Sequence, residues 1–444
     1  MGHAQPSDRR PAVAGKESRR DFLKTSATTG AGLALGWQAV SNVHAGGNEV
    51  IRVGLIGCGS PRGGRGRGAA ANCVSAGPNV RLVAMADLFA DHLEYTRKYL
   101  TNNFSRDQID VPPERCYVGF DAYEKVIGSK DVDLVLLTAP PHFRPLHLKA
   151  AVAAGKHIFA EKPVAVDAPG VRSAAESCEE ARRRGVSLVS GLCYRYDTPK
   201  RETIRRVHDR AVGKILTLQC TYNTGGLWMV PRQDGWSDME WQLRNWLYFT
   251  WLSGDHNVEQ HIHSLDKMAW VMNDEHPVKA SGIGGRQVRT APEYGQIFDH
   301  HSVVYEYANG VKLFSSCRQQ DGCAKDVSDY VFGTEGTCDV MRHMIRGQRP
   351  WRYRDDRGAK NSDMYQNEHN ELIASIRSGK PINNGDYMTK STLMAIMGRM
   401  ATYTGQVITW EQAWNSSEDL TPPKYEFRPL PVPPVARPGV TKFV

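Results

Sequence analysis

Short apolar runs alternate with amphipathic stretches through the first half of the chain. Glu49–Ile56 is apolar and β-branched, as a buried parallel strand requires, and it runs into a glycine-rich segment, Gly57–Gly68. Further strands are predicted over Val80–Ala86, Val132–Thr138, His157–Ala160 and Ser187–Ser190. Helices are predicted from near Arg67, over Ala122–Ile127 and over Leu146–Ala154. Strands separated by helices predict an α/β fold, a doubly wound parallel sheet with ligands at the strands' carboxyl ends. After residue 190 the pattern changes. Lys214–Thr221 alternates as an antiparallel strand, and Val303–Tyr307, Val311–Ser316 and Tyr330–Gly333 read as further strands. Helices are expected over Pro199–Val207, from Asn367 and over Met388–Gly405.

The glycines give the first chemistry. Removing residues 60–63 from Gly57-Cys58-Gly59-Ser60-Pro61-Arg62-Gly63-Gly64-Arg65-Gly66 leaves G-x-G-x-x-G. That spacing makes a tight turn, lets backbone approach a pyrophosphate, and aims the N–H groups of the next helix at it. Asp87, at the end of the second strand, is placed to bind the adenosine ribose hydroxyls and to repel a 2′-phosphate, favouring NAD over NADP. The four-residue insertion departs from the fingerprint, and Arg62, Arg65 and Arg67 offer it phosphate-binding cations. Residues 46–190 are thus expected to form an NAD(P)-binding Rossmann domain.

Composition narrows the picture. The chain has 444 residues with 41% hydrophobic and 23% charged, which excludes a disordered or fibrous chain. No apolar run reaches membrane-spanning length, so it is not expected to be membrane-integral. The formal charge is +8, of which the first 45 residues carry +3. No basic block could track a phosphate backbone, so nucleic acid is not an expected partner. Residues 1–45 read as a twin-arginine signal peptide: Ser18-Arg19-Arg20-Asp21-Phe22-Leu23-Lys24, then a weakly apolar stretch, then Val43-His44-Ala45. This implies an exported, periplasmic location. The nine scattered cysteines give no disulfide framework, although Cys317 and Cys323 could meet across a turn.

Strand-GxGxxG, Asp87, Thr138-Ala-Pro140-Pro-His142 and Glu161-Lys162-Pro163 together resemble the Gfo/Idh/MocA oxidoreductases, over roughly residues 49–415. The resemblance implies a second α+β domain over 191–420, with a large, open, mainly antiparallel sheet for substrate binding and oligomerisation. A homo-oligomer is therefore expected. It places Gly57, Gly59, Gly64, Arg65, Gly66, Asp87, Thr138, Pro140, His142, Glu161 and Lys162 around the cofactor. Lys162 reaches toward the nicotinamide and the reacting hydroxyl. Gly254–Val271 is the densest polar stretch. If it is one helix, Glu259 and His263 share a face at i,i+4, His256 and Asp266 extend that face, and Val258, Ile262, Leu265 and Ala269 form its packing stripe. Glu259-x-x-x-His263-x-x-Asp266 is similar to the family's D-x-x-x-H-x-x-D, with Glu for the first Asp. The resemblance makes His263 the proton-transfer group, with Lys162 and Glu259 beside it, and Arg195, Tyr196, His256 and Asp266 as substrate-binding residues. A divalent metal on His256, Glu259 and His263 is the rival reading; since the family's hydride step needs none, no metal is assigned.

Trp228, Trp236, Trp241, Trp246 and Trp251 crowd one stretch, either as a carbohydrate platform or as packing for a sheet or interface. Residues 421–444 form a proline-rich arm, lying on a neighbouring subunit or without fixed structure. The expected activity is hydride transfer between NAD(P) and a secondary hydroxyl of a sugar or cyclitol. Free NAD is scarce outside the cytoplasm, so the cofactor should be held tightly and restored in each cycle. A redox-neutral, NAD-retaining glycoside hydrolase is therefore the alternative. A non-catalytic carbohydrate sensor is the third reading, and intact Lys162 and His263 oppose it.

Overall fold

Two sheets organise the protein in this computed structural model, which describes residues 1–2, 49–355 and 363–444. The export motif at Ser18–Lys24 lies outside the described residues. The first sheet holds β1 (Ile51–Ile56), β2 (Val80–Asp87), β3 (Cys116–Val118), β4 (Leu134–Leu137), β5 (His157–Ala160) and β6 (Leu188–Ser190). All its pairings are parallel, in the order β3-β2-β1-β4-β5-β6. Helices α1 (Gly66–Val74), α2 (Ala90–Asn103), α3 (Ala122–Gly128), α4 (Arg144–Ala153) and α5 (Ala168–Arg184) fill the crossovers. Covered on both faces, β1 and β4 are apolar throughout apart from Arg52. The strand order reverses between β1 and β4, which opens a crevice at their carboxyl ends.

The second layer follows α6 (Thr198–His208) with β7 (Ile215–Thr224), α7 (Asp238–Arg244), α8 (Thr250–Ser253), α9 (His256–Glu259), α10 (Ile262–Val271), β8 (Lys279–Gly285), β9 (His300–Glu306), β10 (Lys312–Gln319), β11 (Asp326–Gly333), β12 (Gly336–Asp339), β13 (Met344–Gly347), β14 (Trp351–Arg352), α11 (Met364–Ser378), α12 (Gly385–Thr404) and β15 (Ile408–Thr409). Its nine strands run β14-β13-β12-β11-β7-β10-β9-β8-β15, antiparallel except for β7–β10. Helices α10 and α12 cover one face. Buried on nearly every side, α12 carries Leu393, Met394, Ala395, Ile396 and Met397 in succession. α11 returns to the first sheet, and its Leu372, Ile373 and Ile376 join the core beneath β1 and β2. Residues beyond 190 thus complete the nucleotide-binding layer.

Three expectations change. The stretch 254–271 is not one helix. His261 N donates to His256 O at 3.0 Å, an i to i−5 bond, and the backbone breaks at Gln260–His261 between α9 and α10. The proline-rich arm packs on its own chain: Phe427 stacks on Phe89 at 5.9 Å, and Leu430 N donates to Asp238 Oδ2 at 3.1 Å. All nine cysteines are free; Cys317 is buried and Cys323 exposed.

Candidate active site

The glycine turn shows how the fingerprint tolerates its insertion. Ser60 and Gly63 close on each other as a small turn, N to O at 2.7 and 3.2 Å, so that Gly59 and Gly64 meet as neighbours. A Cβ on Gly64 would lie 2.6 Å from Gly59 Cα, and one on Gly66 would lie 2.0 Å from Gly57 O. Only glycine permits these approaches. Arg65, the residue before α1, makes no side-chain cap, so the helix's first N–H groups remain available to an anion. The inserted turn also docks outward: Arg62 Nη1 donates to Met229 O at 3.1 Å.

Arg65 itself turns inward. Its Nε donates to Glu161 Oε1 at 2.8 Å, its guanidinium lies 4.1 Å over the Tyr365 ring, and Glu368 is 3.7 Å away. Burial, then the Glu161 charge, pushes the Glu368 carboxyl well above the usual range. Arg65 therefore balances the buried Glu161 carboxylate at the edge of the cavity that it lines. Asp87 ends β2, with Oδ2 accepting from Cys58 N at 2.6 Å and Oδ1 from Phe89 N at 2.9 Å. Thr138 Oγ1 donates to Gly57 O at 2.5 Å and steadies the turn from β4.

A cavity of about 330 Å³ opens above these groups. Gly57, Gly59, Gly64, Arg65, Asp87, Thr138, Pro140, Glu161, Lys162 and Glu259 all line it. At one end of it, Lys162 Nζ donates to Glu259 Oε1 at 2.7 Å and also to the Glu259 main-chain oxygen. The two side chains are only 11% and 17% exposed. Lys162 follows β5 and Glu259 ends α9, so this ion pair joins the two layers at the cleft.

The remaining expected site residues lie elsewhere. His263 is half-buried, with its ring edge on Tyr194 at 5.4 Å and its Nδ1 buried without a hydrogen bond. Burial, then Lys162, Lys267 and Arg65, hold it well below the ordinary histidine value, hence neutral. It does not line the cavity, because the break at Gln260–His261 removes the i,i+4 register with Glu259. Arg195 is saturated by Asp266, at 2.8 and 3.0 Å, and by Asp274 at 2.6 Å. Tyr196 Oη donates to Asn384 Oδ1 at 2.7 Å. These contacts tie α10, α12 and the segment after β6 together and leave no group for substrate. His142 is buried against Tyr425 Oη at 2.7 Å, outside the cavity lining; burial, opposed by Asp419, pushes it down to about 4. His256 is wholly buried beside Asp255 and His301, while Gly66, the first residue of α1, stays in the glycine turn and passes tightly against Gly57 O.

Sequence reasoning missed the roof of the cavity. Phe89, Phe120, Trp228, Arg244 and Leu247 line it. The Arg244 guanidinium lies 3.8 Å over the Phe89 ring and bonds Asp91 at 3.0 Å. The tryptophan run was the available signal; it packs on the nucleotide-binding layer and on the arm rather than forming an open platform.

Comparison with known families matches residues 51–192 to the oxidoreductase family, NAD-binding Rossmann fold. The chain carries a Gfo/Idh/MocA domain. Residues 18–36 match the twin-arginine translocation pathway signal sequence, so the chain bears an export address for that pathway. No described helix is long and apolar enough to cross a membrane. Inositol 2-dehydrogenase 3 of Saccharopolyspora erythraea is 30% identical over 219 residues, covering 48% of this chain and 55% of that protein. A glycosyl hydrolase family 109 protein of the same organism is 27% identical over 216 residues, covering 45% and 44%. The chain thus spans about half the length of these curated relatives. The crystal structure of aldose–aldose oxidoreductase from Caulobacter crescentus, complexed with glycerol, superposes with a TM-score of 0.62 at 18% identity, over 81% of this chain and 99% of that one. That likeness shows a shared two-layer fold beyond the Gfo/Idh/MocA domain.

Proposed function

We propose that this is an exported oxidoreductase that transfers hydride to or from a secondary hydroxyl carbon of a sugar or cyclitol. The observation that carries the reading is the Lys162–Glu259 pair at the end of a glycine-cradled cleft. The cradle fits a dinucleotide: the N–H groups of α1 meet the pyrophosphate and Asp87 meets the adenosine ribose, with NAD preferred to NADP because the carboxylate repels a 2′-phosphate. When bound, the nicotinamide supplies the hydride acceptor and donor. Lys162 Nζ then donates a hydrogen bond to the substrate oxygen and stabilises the negative charge that develops there. Glu259 takes the hydroxyl proton and returns it in the reverse direction. Neutral His263, in the first turn of α10 and outside the cavity lining, is the second candidate acceptor, and the two are separated by Glu259→Gln and His263→Ala. Loss of turnover on a sugar and cyclitol panel with cofactor still bound supports the assignment, and normal turnover in both variants removes it.

A second reading is favoured by the roof. Trp228, Leu247 and Phe89, the last stacked on the arm residue Phe427, line the cavity beside Asp87 with the protein's own chain. A cofactor enclosed in this way suits redox-neutral glycoside cleavage: oxidise C3, remove the acidified C2 proton, eliminate the aglycone, add water, and reduce C3 back. Similarity to the family 109 hydrolase points the same way. Release of nitrophenol from nitrophenyl glycosides without added NAD, abolished by borohydride pretreatment, distinguishes it from a dehydrogenase that accumulates NADH.

A homo-oligomer belongs to the same proposal. Ile283, Phe314 and Phe332 stand exposed on the second sheet, Ile283 at 75%, and a second copy would bury them. Sedimentation of the Phe314→Glu variant tests it.

A further inference from the structure

A second cluster of chemistry lies behind the cleft. We propose that Asp255, His256 and His301 bind a divalent first-row metal ion, with zinc favoured by the mixed nitrogen and oxygen donors. One ligand atom from each residue lies within 4.8 Å of the others, and all three side chains are wholly buried.

The hydrogen bonds leave lone pairs facing one another. Asp255 Oδ2 is occupied by Phe298 N at 2.9 Å and Tyr403 Oη at 2.5 Å. Its Oδ1 faces His301 Nε2 at 3.1 Å and His256 Nδ1 at 2.8 Å. Thr402 decides the His301 tautomer. Its hydroxyl donates to the Arg399 carbonyl at 3.0 Å, so it accepts from His301 Nδ1 at 2.9 Å. Nε2 faces Asp255 Oδ1: an imidazolium donates to it, and a neutral ring turns its lone pair toward it, where a cation would be held between them. His256 Nε2 has no hydrogen-bond partner, although the residue has no exposure, and its Nδ1 meets only Asp255 Oδ1. One unpaired imidazole nitrogen, and two more crowded on a single carboxylate oxygen in a dry pocket, carry a desolvation cost. A cation between them removes it, and the Thr402 bond is the outer-shell support that orients a ligating histidine.

The site would act as an anchor. Asp255 is held at φ 80° and ψ 159°, a conformation rare for any residue but glycine. Its carbonyl accepts from Glu259 N at 2.8 Å. His301 belongs to β9, and Thr402 and Tyr403 belong to α12. Bound metal would pin α9, and with it Glu259, to the sheet and the central helix.

The test is metal analysis of the untagged protein purified without chelator. About one equivalent of zinc per chain is expected, surviving gel filtration, with His256→Ala and His301→Ala losing it at least about tenfold. Cobalt substitution of the wild-type protein should give visible d–d bands, and thermal unfolding should move down with a strong chelator and recover with Zn²⁺. Wild-type protein free of any first-row metal, with no cobalt spectrum and no response to Zn²⁺, would overturn the proposal and make His301 an imidazolium paired with Asp255. Metal retained undiminished in both folded variants would overturn it too. If the variants do not fold, the wild-type metal content and cobalt spectrum decide alone.

Discussion

Replacing Glu259 with Gln keeps the shape of the side chain and removes its charge. The ion pair with Lys162 spans 2.7 Å between groups that are 17% and 11% exposed. At an effective dielectric near 20 the gross attraction is about 6 kcal/mol, most of it offset by the desolvation of both groups. A net stability loss of about 1–3 kcal/mol follows, small enough for the protein to stay folded. The chemical consequence is larger, because an amide cannot take the hydroxyl proton. Losing a positioned acid–base group lowers the rate by about 10²–10⁴-fold, or about 3–5 kcal/mol in the barrier. The assay is a single turnover of the cofactor-loaded protein, followed by nicotinamide absorbance at saturating substrate and paired with thermal unfolding. Lys162→Met should cost a similar factor. The double variant should be little worse than either single one, since the pair acts as a unit. A Glu259→Gln rate within about threefold of the wild type would refute the reasoning, given that no base-catalysed step tolerates so small a loss.

Other outcomes follow from the same geometry. Deleting residues 421–444, or making Phe427→Ala, removes ring contacts worth about 0.5–1.5 kcal/mol each, so bound cofactor should dissociate up to about tenfold faster in a dilution assay. Asp87→Ala should weaken NAD retention by about ten- to a hundredfold and narrow its advantage over NADP, read by competitive titration. Acid should destabilise the fold early. Burial pushes His142 down to about 4, and His147 and His369 to about 3, against about 6.5 in an unfolded chain. These groups stay neutral in the native state while the unfolded state takes up protons. Their stabilisation is therefore complete above about pH 6.5 and falls as the pH drops toward 4. Calorimetry should show the melting temperature declining through that window, and His142→Gln should flatten the decline.

Much of this was legible in the sequence because buried parallel strands are nearly continuous apolar runs: β1, β4 and β5 are apolar apart from Arg52 and His157, and a glycine turn follows the first. Deleting residues 60–63 to restore the fingerprint has a physical counterpart in the Ser60–Gly63 turn. The continuous helix over 254–271 failed because periodicity reports which side of a segment is apolar, not where a backbone bond slips from i−4 to i−5. His263 consequently left the face it was expected to share with Glu259. Arg195 and Asp266 were expected as binding residues from the family resemblance, and no local pattern around either tells that they are buried as a pair. The arm's destination depended on Phe89 and Phe120, more than three hundred residues earlier, which no local pattern encodes.

On the proposed function this chain retains a nicotinamide dinucleotide in the cleft beside its glycine turn. Protein purified through extensive dialysis without added cofactor, then denatured and analysed by mass spectrometry, tests it most directly. The account predicts close to one NAD or NADH per chain, abolished when Gly64 is replaced by a bulky residue. Recovery of correctly folded protein with no dinucleotide, and no uptake of NAD on addition, would contradict it.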